Sequence, residues 1–246
     1  MRVKFGIIGG SGLDNPKILN SIKEKKVKTP YGAPSENLIT GKIGKQDVII
    51  LARHGKKHNI PPHKIPFRAN IWALKNEGCT HILATTACGS LKQDIKPGHF
   101  VFPDQFIDFT KQRNLTFFDD KVVHTSLAEP FSKELRERLV KASKKLKLPF
   151  HQKGTVVTIE GPRFSTKAES LMFRSFADII NMTTVPEVIL ANELGIPCQA
   201  IAMATDYDSW HESKEPVTYE IVLEQMEKNA EKVKKLLIET IKSFES

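Results

Sequence analysis

Asn181-Met182-Thr183-Thr184-Val185-Pro186-Glu187 and Ala202-Met203-Ala204-Thr205-Asp206-Tyr207-Asp208-Ser209-Trp210 share one grammar. In each, an apolar run of strand character stops and polar side chains follow at once. Ala177-Asp178-Ile179-Ile180 runs into Asn181, Met182 and Thr183. The run 198–204 leads into Thr205, Asp206 and Asp208. Between them, 186–194 predicts a helix, because Pro186 suits a first turn and Gly195 is a natural stop. Strand, helix, strand is the unit of a parallel α/β sheet, and such sheets bind ligands beyond the carboxyl ends of their strands. Both polar clusters fall there.

Outward from this unit, 3–8 reads as a first strand ending in Gly9-Gly10-Ser11-Gly12. Further strands are predicted at 38–42 and 48–52, with a hairpin at Gly44-Lys45, and at 81–85, 99–107 and 155–159. Helices are predicted over 66–77, closed by Gly78, and over 131–148, 167–176 and 218–244. The alternation predicts an α/β fold, a central mixed twisted sheet with helices on both faces. No composition shift, linker, low-complexity run or internal repeat divides the chain. Residues 1–246 are therefore read as a single domain.

The 246 residues are 40% hydrophobic and 26% charged, an ordinary globular balance. Lys and Arg outnumber Asp and Glu by 37 to 28, a net charge of +9. That excess raises a nucleic-acid reading. Much of it lies on the predicted helices 131–148 and 218–244, where Phe131, Leu135, Leu139, Ala142 and Leu146, and Ile221, Val222, Met226, Val233, Leu236, Leu237 and Ile241, fall at helical spacing. This is a core stripe with a solvated basic face. Aromatics are not interleaved with the lysines as a strand-binding surface requires, so no nucleic-acid partner is expected. Three cysteines, Cys79, Cys88 and Cys198, have neither disulfide-framework nor zinc spacing. No apolar run approaches the about 18 residues of a membrane span, and the N-terminus enters a strand without a signal peptide. A soluble, cytoplasmic protein is expected.

Several segments carry groups suited to chemistry. The glycine-rich turn after the first strand lacks the full dinucleotide fingerprint, since Leu13-Asp14-Asn15-Pro16 follows. Its amides and the Ser11 hydroxyl suit an anion, and a plain tight turn is the alternative. Arg53-His54-Gly55 ends a strand, and a guanidinium there matches phosphate oxygens or makes a structural pair. Thr85-Thr86-Ala87-Cys88-Gly89-Ser90 ends another, with two hydroxyls and small residues that let a ligand approach the backbone. Met182 read alone is a core methionine. Asp206 and Asp208 read alone are loop carboxylates or caps. Without a third ligand nearby they make a poor metal site, and no metal is expected.

These stretches, with Gly6-Ile7-Ile8-Gly9-Gly10-Ser11-Gly12-Leu13, Ala128-Glu129-Pro130-Phe131 and Thr158-Ile159-Glu160-Gly161-Pro162-Arg163-Phe164-Ser165, occur in the order seen in one family. The chain resembles the methylthioadenosine phosphorylase family, in the trimeric branch of the purine nucleoside phosphorylases. The resemblance runs from about residue 5 to the final helix. It implies a phosphate site made by Ser11, Arg53, His54, Thr86, the Ala87 amide and Ser165. It implies nucleoside contacts from Phe164, Asn181, Met182, Thr183 and Thr205, with Asp206 and Asp208 at the purine. Tyr219, Val222 and, from a neighbouring subunit, His124 match the positions that cover the 5′ substituent. Tyr219 is larger than the aliphatic residue usual there and brings a hydroxyl.

The implied reaction is phosphorolysis of 5′-methylthioadenosine to adenine and 5-methylthioribose 1-phosphate. Phosphate is the co-substrate, and no cofactor is needed. As the C1′–N9 bond breaks, the purine gains negative charge, and protonation at N7 helps it leave. A carboxylic acid does this if its site raises its pKa toward neutrality. Asp206 is the expected acid, with Asp208 holding the base and its charge raising the pKa of Asp206. The family places Asn at this position in its 6-oxopurine members, so Asp206 points to adenine. The rivals are a phosphorylase for 6-oxopurine nucleosides or methylthioinosine and, more distantly, a non-catalytic basic nucleic-acid-binding protein. A homotrimer is implied, with pairing into hexamers left open.

Overall fold

The structure is a computed structural model that describes residues 3–9, 18–212 and 218–245. Its first half holds β1 (Lys4–Gly9), β2 (Asn20–Lys25), β3 (Leu38–Ile43), β4 (Gln46–Ala52), α1 (Phe67–Asn76) and β5 (His81–Ser90). Next come β6 (Phe100–Val101), β7 (Gln105–Phe109), α2 (Lys133–Lys145), β8 (Phe150–His151) and β9 (Thr155–Ile159). The last part holds α3 (Lys167–Phe173), β10 (Ile179–Asn181), α4 (Thr184–Glu193), β11 (Cys198–Asp206) and α5 (Tyr219–Lys242).

Side-chain alternation along β1 divides the core. Phe5 and Ile7 pack with Leu135 and Leu139 of α2 and with Val233 and Leu236 of α5. Ile8 packs on the opposite face with Ile71 and Leu74 of α1 and Leu190 of α4. Such period-two alternation places helices on both faces of one mixed sheet, as expected. At Gly6 a Cβ would stand 3.1 Å from Leu74 Cδ1, so glycine lets α1 close on β1. The buried stripe of α5 includes Met226, Val233, Leu236, Leu237 and Ile241, with the lysines left outside it. Among the described residues no helix is long and apolar enough to cross a membrane.

The sheet runs β2-β3-β4-β1-β5-β10-β9-β7, with β11 paired to β5 and β6, and β6 paired to β8. Here the parallel-unit expectation fails. β11 lies parallel to β5, whereas β10 lies antiparallel to β5 and parallel to β9. Strand β5 has ten residues, so it takes β11 along its length and three-residue β10 at its far end. The carboxyl ends of β10 and β11 therefore approach the same stretch of β5 from opposite directions. A register shift between Ala204 and Asp206 re-aims the end of β11.

Two smaller differences follow from local chemistry. The expected strand 99–107 is two strands, β6 and β7, separated at Pro103, which has no N–H for a ladder. Strand β2 was not expected, because all six of its residues are exposed and its pattern carries no apolar face. Between β7 and α2 the chain has no regular element, and His124 lies exposed in that stretch.

Candidate active site

A cavity of about 410 Å³ opens where β10 and β11 meet β5. That is enough room for a small ligand. Arg53, His54, Thr86, Ala87, Phe164 and Ser165 line it, as do Asn181, Met182, Thr183, Thr205, Asp206, Asp208, Tyr219 and Val222. Of the residues singled out in the sequence, Ser11 lies outside the described residues and His124 is not in the lining.

One part of the cavity is rich in donors. Arg53, at the end of β4, is 1% exposed. Its Nε lies 2.5 Å from Glu187 Oε1 and its Nη2 2.8 Å from Oε2, while Nη1 donates to Thr85 O at 2.7 Å. Guanidinium carries five N–H groups; with three committed, two remain for a ligand. Glu187, also 1% exposed, is a site residue that the sequence reading did not single out. The available signal was an acidic residue amid Val185, Pro186 and Val188 of a buried helix, where a carboxylate needs a cationic partner.

His54 Nδ1 lies 2.8 Å from Ile60 O. A carbonyl only accepts, so Nδ1 carries the proton. Burial and the charge of Arg53 push the imidazole pKa down to about 4, against the opposing bond to Ile60. His54 is therefore neutral at pH 7, and Nε2 holds a lone pair. Thr86 Oγ1 lies 3.1 Å from Thr183 Oγ1. Thr183 thus stands beside the expected phosphate ligands.

Asn181 orders these hydroxyls. Its Oδ1 accepts from Thr158 Oγ1 at 2.9 Å, and its Nδ2 donates to Thr184 Oγ1 at 2.6 Å and Thr86 Oγ1 at 3.3 Å. Both amide protons are used inside the protein, so Asn181, which lines the cavity, orients its neighbours. Met182 and Phe164 supply partly buried apolar lining, and Met226 of α5, read as core from its helical spacing, joins them.

The second part of the cavity is acidic. Asp206 Oδ2 accepts from Thr205 Oγ1 and Oδ1 from the Asp208 amide, both at 2.7 Å. Burial is the main cause that raises the Asp206 carboxyl from 3.8 to about 6, and the charge of Asp208 adds a smaller push. Asp208 takes its hydrogen bonds from elsewhere. Both its oxygens accept from Ser165 Oγ, at 2.8 and 2.7 Å, and Oδ2 accepts from Ser170 Oγ of α3. Ser165, expected on phosphate, thus directs its hydroxyl to the acidic part. The turn is anchored by Trp210 Nε1, which donates to Ser90 O at 2.7 Å, and by Ser209 Oγ on Ser165 O.

Tyr219 opens α5 at the cavity mouth, 49% exposed, with its ring centroid 6.3 Å from that of His58. Val222 stands one turn further along the helix.

The model of the phosphorylase superfamily matches residues 4–242. The S-methyl-5′-thioadenosine phosphorylase of Danio rerio is 55% identical over 246 residues, covering 97% of this chain and 88% of that protein. A solved methylthioadenosine phosphorylase from Schistosoma mansoni in complex with adenine superimposes with a TM-score of 0.96 at 42% identity, covering 99% and 92% of the two chains. A single-substitution variant of the Schistosoma mansoni adenosine/methylthioadenosine phosphorylase, in complex with methylthioadenosine, gives 0.94 at 42% identity with the same coverage. This chain belongs to the phosphorylase superfamily, within its methylthioadenosine phosphorylase family.

Proposed function

We propose that this protein catalyses phosphorolysis of 5′-methylthioadenosine, giving adenine and 5-methylthioribose 1-phosphate. One observation carries the reading. A single cavity joins a donor-rich part, with Arg53, His54, Thr86 and Thr183, to a buried carboxyl raised to about 6. The names of its relatives, at 42–55% identity, support it.

In this reading phosphate takes the two spare N–H groups of Arg53, the Thr86 and Thr183 hydroxyls and the Ala87 amide. Ser11, outside the described residues, is the further phosphate ligand that the resemblance implies. Neutral His54 faces the ligand as an acceptor, suited to a P–OH or a sugar hydroxyl. Cleavage of the C1′–N9 bond sends its electron pair to the purine while a phosphate oxygen bonds C1′. Asp206 gives its proton to N7. The proton of hydrogen phosphate restores that acid, so the balance closes without a cofactor. Phe164 and Met182 pack the nucleoside.

The carboxyl at 206 favours adenine, whose exocyclic amine donates, over 6-oxopurines, whose carbonyl accepts. The active unit is a homotrimer in the cytoplasm, with His124 of the partner subunit covering the 5′ substituent. The test incubates pure protein with methylthioadenosine, adenosine and inosine, with and without phosphate. Adenine release that depends on phosphate is expected. Cleavage of inosine in preference moves the protein to the 6-oxopurine class. Absence of cleavage, with salt-sensitive binding to DNA or RNA, refutes the enzymatic reading.

A further inference from the structure

Ser170 lies outside the cavity lining, is 0% exposed, and sits within helix α3. A helical serine hydroxyl ordinarily turns back on the carbonyl one turn earlier. The Ser170 amide makes the ordinary helical bond to that carbonyl, Thr166 O, at 2.9 Å. The hydroxyl instead reaches Asp208, 38 residues away in sequence. Asp208 is 6% exposed, and among the described residues no salt bridge is made to it. Among the described residues, its buried carboxylate accepts from the hydroxyls of Ser165 and Ser170 alone. Its backbone has φ +48°, in the left-handed region, and its amide donates to Asp206 Oδ1. At Gly89 a Cβ would stand 3.1 Å from Asp208 Cβ and 3.0 Å from Asp206 Oδ1, so both acids press on β5. Asp208 is thus wedged between β5 and α3, and Ser170 is the α3 side of that wedge.

We propose that Ser170 is a positioning residue, which fixes the Asp208 carboxylate behind Asp206 and through it sets the pH range in which Asp206 acts. The inference rests on the reading of Asp206 as the acid. Without the Ser170 hydroxyl, Asp208, 6% exposed, has lost one of these donors. It then admits water or turns away from α3. Each response weakens the negative field at Asp206. The other titratable group coupled to Asp206 is the Cys88 thiol on β5, itself pushed up by burial and by Asp206. A thiol carries no charge in the working range, so Asp208 is the charge to move.

The test measures kcat/KM for methylthioadenosine against pH in wild type and in the Ser170→Ala, Ser170→Thr and Asp206→Asn variants, with melting temperatures alongside. An acid must be protonated to work, so activity falls on the basic limb. In Ser170→Ala that limb is expected to move to lower pH by about half a unit. kcat should drop about tenfold, the scale of one hydrogen bond to a charged group, and KM for phosphate should stay unchanged. Ser170→Thr, which keeps the hydroxyl, is expected to restore the limb. A basic limb that stays put or moves up in a folded Ser170→Ala overturns the proposal, as does a shift that Ser170→Thr fails to reverse. Wild-type turnover by Asp206→Asn overturns the reading beneath it instead.

Discussion

Asp206→Asn should disable the enzyme and stabilise the fold, by an amount that depends on pH. In the folded protein burial raises the Asp206 carboxyl from 3.8 to about 6. Between these values the folded state binds a proton that the unfolded chain has already released. Stability associated with Asp206 is therefore complete below pH 3.8 and is lost as pH rises through 6. At about 1.36 kcal/mol per tenfold change in proton affinity, the full loss is about 3 kcal/mol above pH 7. It is about half that at pH 5, where the folded state still keeps most of the proton. Asparagine removes the charge and nearly preserves the shape. Its Oδ1 still accepts from the Asp208 amide, and its amide nitrogen donates to Thr205 Oγ1, which accepts in place of donating.

The variant should thus melt about 6–12 °C above wild type at pH 8, taking about 2–4 °C per kcal/mol for a chain of this size. The margin should shrink by about half at pH 5. Turnover of methylthioadenosine should fall by about 10²–10⁴-fold, the scale of a general acid. Calorimetry of both proteins at both pH values, with adenine release measured on the same preparations, decides the matter. A margin independent of pH, or a variant less stable than wild type at pH 8, would refute the claim that burying this carboxyl strains the fold.

Arg53→Ala should raise KM for phosphate by about one to two decades and also lower stability by about 3–5 kcal/mol, because it strands a buried Glu187. The double change Arg53→Met with Glu187→Leu should recover stability without recovering phosphate affinity, and recovery of both would make Arg53 purely structural. His54, held near 4 against an ordinary 6.5, makes the fold lose stability as pH falls from 6.5 to 4. His54→Gln should flatten that decline, by up to about 3 kcal/mol at pH 4, in urea melts taken across the range. Gly89→Ala places a methyl 3.0 Å from Asp206 Oδ1. It should lower kcat while sparing KM for phosphate, and unchanged kcat would mean that the acid tolerates displacement. Tyr219→Val should widen the preference for methylthioadenosine over adenosine by about 1–3 kcal/mol of discrimination at most. A narrower ratio of kcat/KM values would show that the Tyr219 hydroxyl does not favour a polar 5′ group.

By itself the sequence determined what local pattern encodes. The apolar periods of β1, α2 and α5, the capping and stop residues, and the switch from apolar to polar at 181 and 205 depend on neighbours a few residues away. These placed most elements to within a few residues and put Arg53, Met182 and Asp206 at strand ends, where the structure has them, whereas the strand expected at 81–85 runs on to Ser90 through its pairing with β11 and holds Thr86 in its middle. What tertiary structure alone decided is direction and partnership. Whether β10 joins β5 in parallel or antiparallel depends on pairings far apart in sequence, and no residue of Ile179–Asn181 specifies them. The pairing of Arg53 with Glu187 spans 134 residues, and that of Ser170 with Asp208 spans 38. The same holds for protonation. Asp206 is an ordinary carboxyl in the chain, and it becomes a neutral-range acid when folding takes its water away and sets Asp208 behind it.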